Sequence, residues 1–503
     1  MNNKVSRIIL EEQSKDFIFK KDKSNLNISF NRIAFVFFVF FIICTIYTIH
    51  LLHLGSRLSK AGIENNYNYK LNNLYRADIL DVNDDYIGKT ISSVDIGISP
   101  IKIIDEKKLL INLKYIFPNK DLNEIQKKID KGKFFYLEKK VSDEIYEKLM
   151  QLGDKSIEPR DNLLRIYPQK NLFSHIIGQI DNENNGISGL EKSLDEDLKK
   201  YKKPIKLTVD KDIQFLLRDE LNKFNKIFKS QGSAAILMNV NNGEILSLVS
   251  LPDFDPNKRE KIDDVNYINR ATKGVYEFGS VFKTFTLAAA LNEKIIEPET
   301  EFFNLPKTLT CAGFSIKEYD DEIPSNLTAE QILVRSGNIG SVRIVQKVGE
   351  EKFKSFLSEI GILEELKFDI TEVGKPIEFN WGKCPLATAS FGHGITTTLL
   401  QLAKAYSIIV NGGFKINPTL IKSKEKKEPI RVLNKDVSEK ILPILRKIVS
   451  TKNGTASLAN IDGFEIGGKT GTAQKSIAGG YSKKKINTFV SVFPISKPKY
   501  VLA

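Results

Sequence analysis

Residues Ile33 to Leu54 form an apolar run with no acidic or basic side chain, and charge resumes only at Arg57. A helix of about 20 apolar residues spans the hydrocarbon of a bilayer. This segment therefore divides the chain into a short leading tail and a long remainder. A cleaved signal peptide has a shorter apolar core followed by small residues; here Tyr47, His50 and His53 stand towards the end of the run. The tail carries Lys4, Arg7, Lys15, Lys20, Lys21, Lys23 and Arg32, and such basic flanks mark the cytoplasmic side. No second comparable run follows. The expected topology is a cytoplasmic tail over 1–32, a single-pass anchor over 33–54, and everything after it outside the cytoplasm, periplasmic at the inner (plasma) membrane.

The remainder of the 503 residues is long enough for more than one hydrophobic core. The formal charge of +13 is scattered, with acidic residues interleaved, and no localised basic motif points to nucleic acid. Of three cysteines, Cys44 lies in the apolar run. Cys311 and Cys384 share no Cys-x-x-Cys spacing, so neither zinc nor a redox motif is implied. A disulfide between them is open in an oxidising compartment. Four dispersed histidines do not make a metal site, and His50 and His53 suit the membrane interface.

Residues 55–205 are lysine-rich and read as a non-catalytic pedestal. Tyr75 to Asp81 predicts a short strand entering an Asn-Asp-Asp turn. Ile125 to Tyr136 and Asp143 to Leu152 have helical periodicity, and Leu163 to Pro168 reads as a strand. From 206 to 503 the texture changes. Asp210 is placed to cap a helix over Asp212 to Phe224. Ala234 to Val240 and Glu244 to Val249 flank Asn241-Asn-Gly243 as a hairpin. Ser280 to Leu291 predicts a buried helix. Phe464 to Ala473 and Asn487 to Phe493 read as adjacent antiparallel strands. The fold class expected is α+β, an antiparallel sheet flanked by helices.

Three strings carry chemistry: Ser280-Val-Phe-Lys283, Ser336-Gly-Asn338 and Lys469-Thr-Gly471. Ser-x-x-Lys also occurs at Ser99, Ser423, Ser482 and Ser496, so context must discriminate. At the first turn of a buried helix, Lys283 lies on the face of Ser280. A serine hydroxyl needs a nearby base, and a lysine serves only if burial or a neighbouring cation such as Lys469 lowers its pKa. The Ser280 N–H, at a helix start, points where an oxyanion forms. Ser336 can relay a proton to a leaving amine, and Asn338 can bond a substrate amide. Gly471, after Gly467 and Gly468, suggests that another backbone approaches the strand closely, and a peptide could add alongside as a further strand. Thr470 and Thr472 with Lys469 would hold a terminal carboxylate, and Thr472 N–H would complete the oxyanion hole.

These residues resemble the class B penicillin-binding proteins, the monofunctional peptidoglycan transpeptidases. The resemblance also includes Arg76-Ala-Asp-Ile-Leu-Asp81, Arg165-Ile-Tyr-Pro168, His175-Ile-Ile-Gly178, Gly186-Ile-Ser-Gly-Leu-Glu191, Leu207-Thr-Val-Asp-Lys-Asp-Ile-Gln214, Asn269-Arg-Ala and Phe391-Gly-His-Gly394. It implies that Ser280 attacks the penultimate D-Ala carbonyl of a stem peptide and that a neighbouring amine resolves the acyl-enzyme. Lys283 is then the base, β-lactams acylate the same serine, and no metal or organic cofactor is needed. Phe391-Gly-His-Gly394 with Lys469 to Lys475 is similar to the septal, cell-division type. That type implies a division-complex glycosyltransferase and regulators as membrane partners. An elongation-type transpeptidase, a membrane-bound β-lactamase or sensor, and an inactive division scaffold share parts of this pattern.

Two departures stand out. Val82 and Asp84 occupy places where the pedestal motif usually has Arg and Gly. Thr398-Leu399 stands where Thr-Pro is usual at a helix start. The chain stops at Tyr500-Val-Leu-Ala503, within an expected strand, whereas members of the family run on through a further helix. A C-terminal truncation and an exposed final sheet edge are therefore expected.

Overall fold

The structure is a computed structural model that describes residues 32–54, 75–200, 203–258, 265–311, 313–377, 380–423, 428–477 and 480–503. The tail expected over 1–32 lies, apart from Arg32, outside the described residues. The chain divides into two units, 1–73 and 74–503. In the first, Arg32–Leu54 is one 23-residue apolar helix, long enough to cross a membrane, with none of its apolar window buried against protein.

In the second unit the pedestal is built on one sheet. Strands β1 (Ile79–Leu80), β2 (Tyr86–Ile98), β3 (Phe135–Val141), β4 (Ile157–Ile166) and β5 (Ile205–Lys206) centre on the long β2, which pairs antiparallel with β1, β3 and β4. β5 joins β1 in parallel. Helices α1 (Glu106–Ile116), α2 (Leu122–Asp130) and α3 (Asp143–Gln151) bury Leu109, Leu113, Ile125, Ile129 and Leu149 against Ile96, Ile98 and Val141. This lobe has its own small core. The helix expected over Ile125 to Tyr136 is corrected: it covers Leu122–Asp130, and Phe135 and Tyr136 belong to β3. Gly132, at φ +65°, separates the two.

The pedestal motifs meet at one buried point. Arg76 Nε donates to Glu191 Oε2 at 2.8 Å, and Arg165 Nε to Glu191 Oε1 at 2.7 Å. Asp195 takes the other side of Arg76 at 2.5 Å. Asp84, in the usual glycine position, adopts φ +69°, a left-handed conformation that Asp tolerates better than most side chains. Asp81 closes that turn by accepting from the Asn83 and Asp85 amides at 2.8 Å each.

Helix α4 (Lys211–Phe228) begins at Asp210, whose carboxylate accepts from the Asp212 and Ile213 amides. It packs on β6 (Ser233–Asn239) and β7 (Ile245–Leu251), the expected hairpin. The central sheet continues through β14 (Tyr500–Leu502), β13 (Gly480–Phe493) and β12 (Gly467–Ile477), in the order β12-β13-β14-β6-β7. β14 lies inside the sheet, paired on both sides, so the strand expected to leave an edge exposed is covered. The edge strand at this end is β12. Two small pairs, β8 (Glu301–Phe302) with β11 (Leu327–Thr328) and β9 (Thr308–Cys311) with β10 (Phe314–Lys317), stand beside the helical layer.

That layer contains α5 (Lys283–Asn292), α6 (Ala329–Val334), α7 (Asn338–Val348), α8 (Lys383–Ala389), α9 (Leu399–Val410) and α10 (Lys435–Ser450). Every residue of α9 is buried, which marks a helix packed on all sides. Its start needs no proline: Thr398 and Gln401 form a reciprocal capping box.

Candidate active site

Ser280 sits on a short 3-10 turn, Gly279–Phe282, that runs directly into α5. The expected helix start is thus tighter than an α-turn. In a 3-10 turn residues i and i+3 eclipse, which brings Lys283 under Ser280. Tyr406 fixes this turn from α9, donating to Val281 O at 2.8 Å and lying 2.9 Å from Thr284 Oγ1. Phe282, Phe285 and Tyr406 stack edge to face beneath it.

Gly279, at φ +60°, could carry no side chain: a Cβ would stand 2.4 Å from Thr472 O. A Cβ on Gly471 would meet Phe278 O at 2.3 Å. The close backbone approach expected at these glycines is therefore made by the chain's own 278–281 turn. It lays the Thr472 backbone beside Ser280, where their N–H groups can serve one oxyanion.

Lys283 and Lys469 are both buried, and both reach Ser336. Lys283 Nζ is 2.5 Å from Ser336 O and 3.1 Å from its Oγ; Lys469 Nζ is 2.9 Å from the same Oγ and 3.0 Å from Thr470 O. Burial brings Lys283 down to about 7, partly offset by Glu318. Burial, and then the charge of Lys283, hold Lys469 well below the usual lysine range. A lysine without its proton at neutral pH is a usable base. Ser336 itself takes φ +61° between α6 and α7, a conformation that costs a non-glycine residue energy and clusters at functional sites.

Asn338 opens α7, and its Nδ2 donates to Lys317 O at 2.7 Å. Glu318, which follows β10, accepts from the Asn338 and Ile339 amides at 2.6 and 2.9 Å, capping that helix with a carboxylate. No pattern marked Glu318 in the sequence. The β9–β10 hairpin that carries it is tied to α8 by a disulfide, Cys311–Cys384, which closes the alternative left open by cysteine spacing.

On β12 the alternation separates the predicted carboxylate binders. Lys469, Gly471 and Ala473 are buried, while Thr470 is half-buried and Thr472 exposed. The Lys469 ammonium is turned inward to Ser336, while the two threonine side chains lie on the other face of the strand. Thr470 Oγ1 contacts Thr455 Oγ1 at 2.8 Å, and Thr472 Oγ1 lies 3.3 Å from Asn487 Oδ1. The structure thus gathers Lys283, Ser336 and Lys469 by hydrogen bonds and Ser280, Gly471 and Thr472 by backbone packing.

Residues 233–503 match the family model of the penicillin binding protein transpeptidase domain. The chain belongs to that family. Residues 71–226 of this penicillin-binding protein match the penicillin-binding protein dimerisation domain. It is 28% identical over 440 residues to the "Probable peptidoglycan D,D-transpeptidase FtsI" of Caulobacter vibrioides, covering 84% of this chain and 73% of that one. It is 28% identical to "Stage V sporulation protein D" of Bacillus subtilis, over 85% of this chain and 73% of the relative. For the "Probable peptidoglycan D,D-transpeptidase PenA" of Neisseria meningitidis the identity is 28%, over 74% and 69%.

Proposed function

We propose that this penicillin-binding protein is a serine D,D-transpeptidase that cross-links peptidoglycan stem peptides in septal wall synthesis. The carrying observation is the pair of buried lysines on one serine hydroxyl, one of them three residues on from Ser280 along the same turn. Neutral Lys283 takes the Ser280 hydroxyl proton as Oγ attacks the penultimate D-Ala carbonyl. The developing oxyanion is met by the N–H groups of Ser280 and Thr472. The proton passes through Ser336 Oγ to the leaving D-Ala amine, and Lys469 holds that hydroxyl in line. Asn338, with Nδ2 engaged by Lys317 O, offers Oδ1 to a stem-peptide amide. The open edge of β12 suits a peptide laid alongside as a strand, its terminal carboxylate facing Thr470 and Thr472. β-Lactams enter by the same acylation.

The apolar helix acts as a single-pass anchor, and the basic tail before it supports a cytoplasmic N-terminus with the catalytic body outside. Relatives named as a probable peptidoglycan D,D-transpeptidase FtsI and as a stage V sporulation protein support the proposed assignment. A division-complex glycosyltransferase and its regulators are the partners proposed, docking on the anchor and pedestal. The dimerisation-domain match favours a transpeptidase over a lactamase.

Labelling with a fluorescent penicillin tests this. The full chain should take up one label, retained for many minutes, on the peptide containing Ser280, and Ser280→Ala should abolish it with the melting temperature unchanged. Label on Ser280→Ala removes the nucleophile; rapid release from the wild type makes the chain a lactamase.

A further inference from the structure

Glu277 lies three residues before Ser280, and only 7% of it is exposed. Its carboxylate accepts from the Tyr481 hydroxyl, at 3.2 and 3.3 Å, and from the Gly394 amide. Burial raises its pKa, against the pull of those two hydrogen bonds. Tyr481 belongs to β13, facing Ser476 across the irregular end of the β12–β13 hairpin. His393 stands between two rings, 5.2 Å from Phe391 and 6.1 Å from Tyr481 by centroid. Its Nδ1 is buried with no hydrogen-bond partner among the described residues. Burial lowers its pKa, against a backbone hydrogen bond to Phe391, and the nearby Lys283 lowers it further. The 391–394 loop crosses the nucleophile's own turn, since Gly279 N–H donates to Gly392 O at 3.2 Å.

A carboxylate and three aromatic rings therefore adjoin the segment that leads into Ser280, and the acylation step uses none of them. Carboxylate beside aromatic faces is the chemistry that receives an ammonium. The donor stem brings no ammonium to the scissile bond; the second substrate does, because its amine is protonated at neutral pH. An ammonium arriving near Lys283 needs a counter-charge.

We propose that Glu277, with Tyr481, His393 and Phe391, forms the subsite for the acceptor ammonium in the second half-reaction. This rests on the transpeptidase reading above. The ammonium gives one proton to the Glu277 carboxylate and becomes a neutral amine. Its lone pair attacks the acyl carbonyl: the C–N bond forms and the carbonyl π pair moves to the oxyanion. The C–Oγ bond then breaks. The second amine proton passes to neutral Lys283 and on to Ser280 Oγ, which restores the hydroxyl. Glu277 returns its proton to water as the product leaves.

The test uses the full chain in detergent, a D-alanyl thioester stem analogue as donor, and two acceptors: n-butylamine, cationic at neutral pH, and hydroxylamine, neutral there. The readout is the ratio of aminolysis to hydrolysis, counted per penicillin-titratable site. Glu277→Gln should lower the n-butylamine ratio about tenfold or more, on the scale of a lost charge-assisted hydrogen bond, and should lower the hydroxylamine ratio much less. Tyr481→Phe, which keeps the ring, should shift it the same way by about two- to fivefold, and decides the matter if Glu277→Gln yields no titratable sites. An equal change for both acceptors, zero included, overturns the subsite. No acyl-enzyme in the wild type overturns the transpeptidase reading instead.

Discussion

Two buried charge clusters lie in the same body and follow opposite rules. In the pedestal, Arg76 and Arg165 grip Glu191, and Asp195 completes the set. In the site, Lys283 and Lys469 share a sign and converge on the Ser336 hydroxyl. Taking a charge out of water costs several kcal/mol. The cost is offset by opposite charges and hydrogen bonds, or the group gives up its charge. The pedestal takes the first course and becomes a fastening. The site takes the second: burial lowers the pKa of both lysines, which leaves Lys283 able to accept a proton. Depth of burial does not distinguish the two; what stands opposite each charge does.

That contrast breaks most sharply at Lys283. Lys283→Ala should slow penicillin acylation by about a thousandfold, within the range for a lost general base. It should leave the melting temperature equal or higher, because a buried amine is removed. Normal acylation at neutral pH in that variant would remove Lys283 as base. Glu191→Gln should do the reverse. It leaves two buried guanidiniums short of a counter-charge and should cost about 3–5 kcal/mol of stability, read by denaturant unfolding. Acylation per folded molecule should change little.

A smaller effect sharpens the comparison through pH. The reactive form of Lys283 is the neutral one, so acylation should rise as pH climbs through about 7 and then level off. Stability follows the same group. Its folded pKa is lowered from 10.5 to about 7, so between those values the unfolded chain binds the extra proton, and stability rises with pH. Lys283→Ala should flatten the acylation profile and reduce the stability slope, of which Lys469 keeps a share, measured by acylation rates and by melting at several pH values. A flat acylation profile in the wild type would move the proton acceptor elsewhere.

The sequence made some of this legible and concealed the rest for physical reasons. Ser280, Lys283 and Lys469 could be found because their local frame is distinctive: a serine and lysine at helical spacing at the start of an apolar helix, a lysine beside glycines in a strand. Asp210 could be placed because capping is decided within four residues. Ser336's φ of +61° could not, because it is imposed by the packing of α6 and α7. Glu318, Tyr406 and the Glu277–Tyr481 contact join residues 20, 125 and 204 positions from their partners, and no periodicity encodes such pairs. Phe391-Gly-His-Gly394 offered a signal without a mechanism. The structure supplies one by laying that loop across Gly279.

Cys311 and Cys384 stand 73 residues apart in sequence and are joined across the hairpin that carries Glu318. Such a bond persists in oxidising compartments and is rare in a reducing cytoplasm. Under the topology proposed here, the bond closes only after the chain has crossed the membrane. Oxidation then stitches the β9–β10 hairpin, beside which Glu318 caps the helix opening at Asn338, to the helix leading into the 391–394 crossing. Two walls of the cleft are pinned together only where the wall polymer itself is made, and the cell's own chemistry sets when the enzyme comes of age.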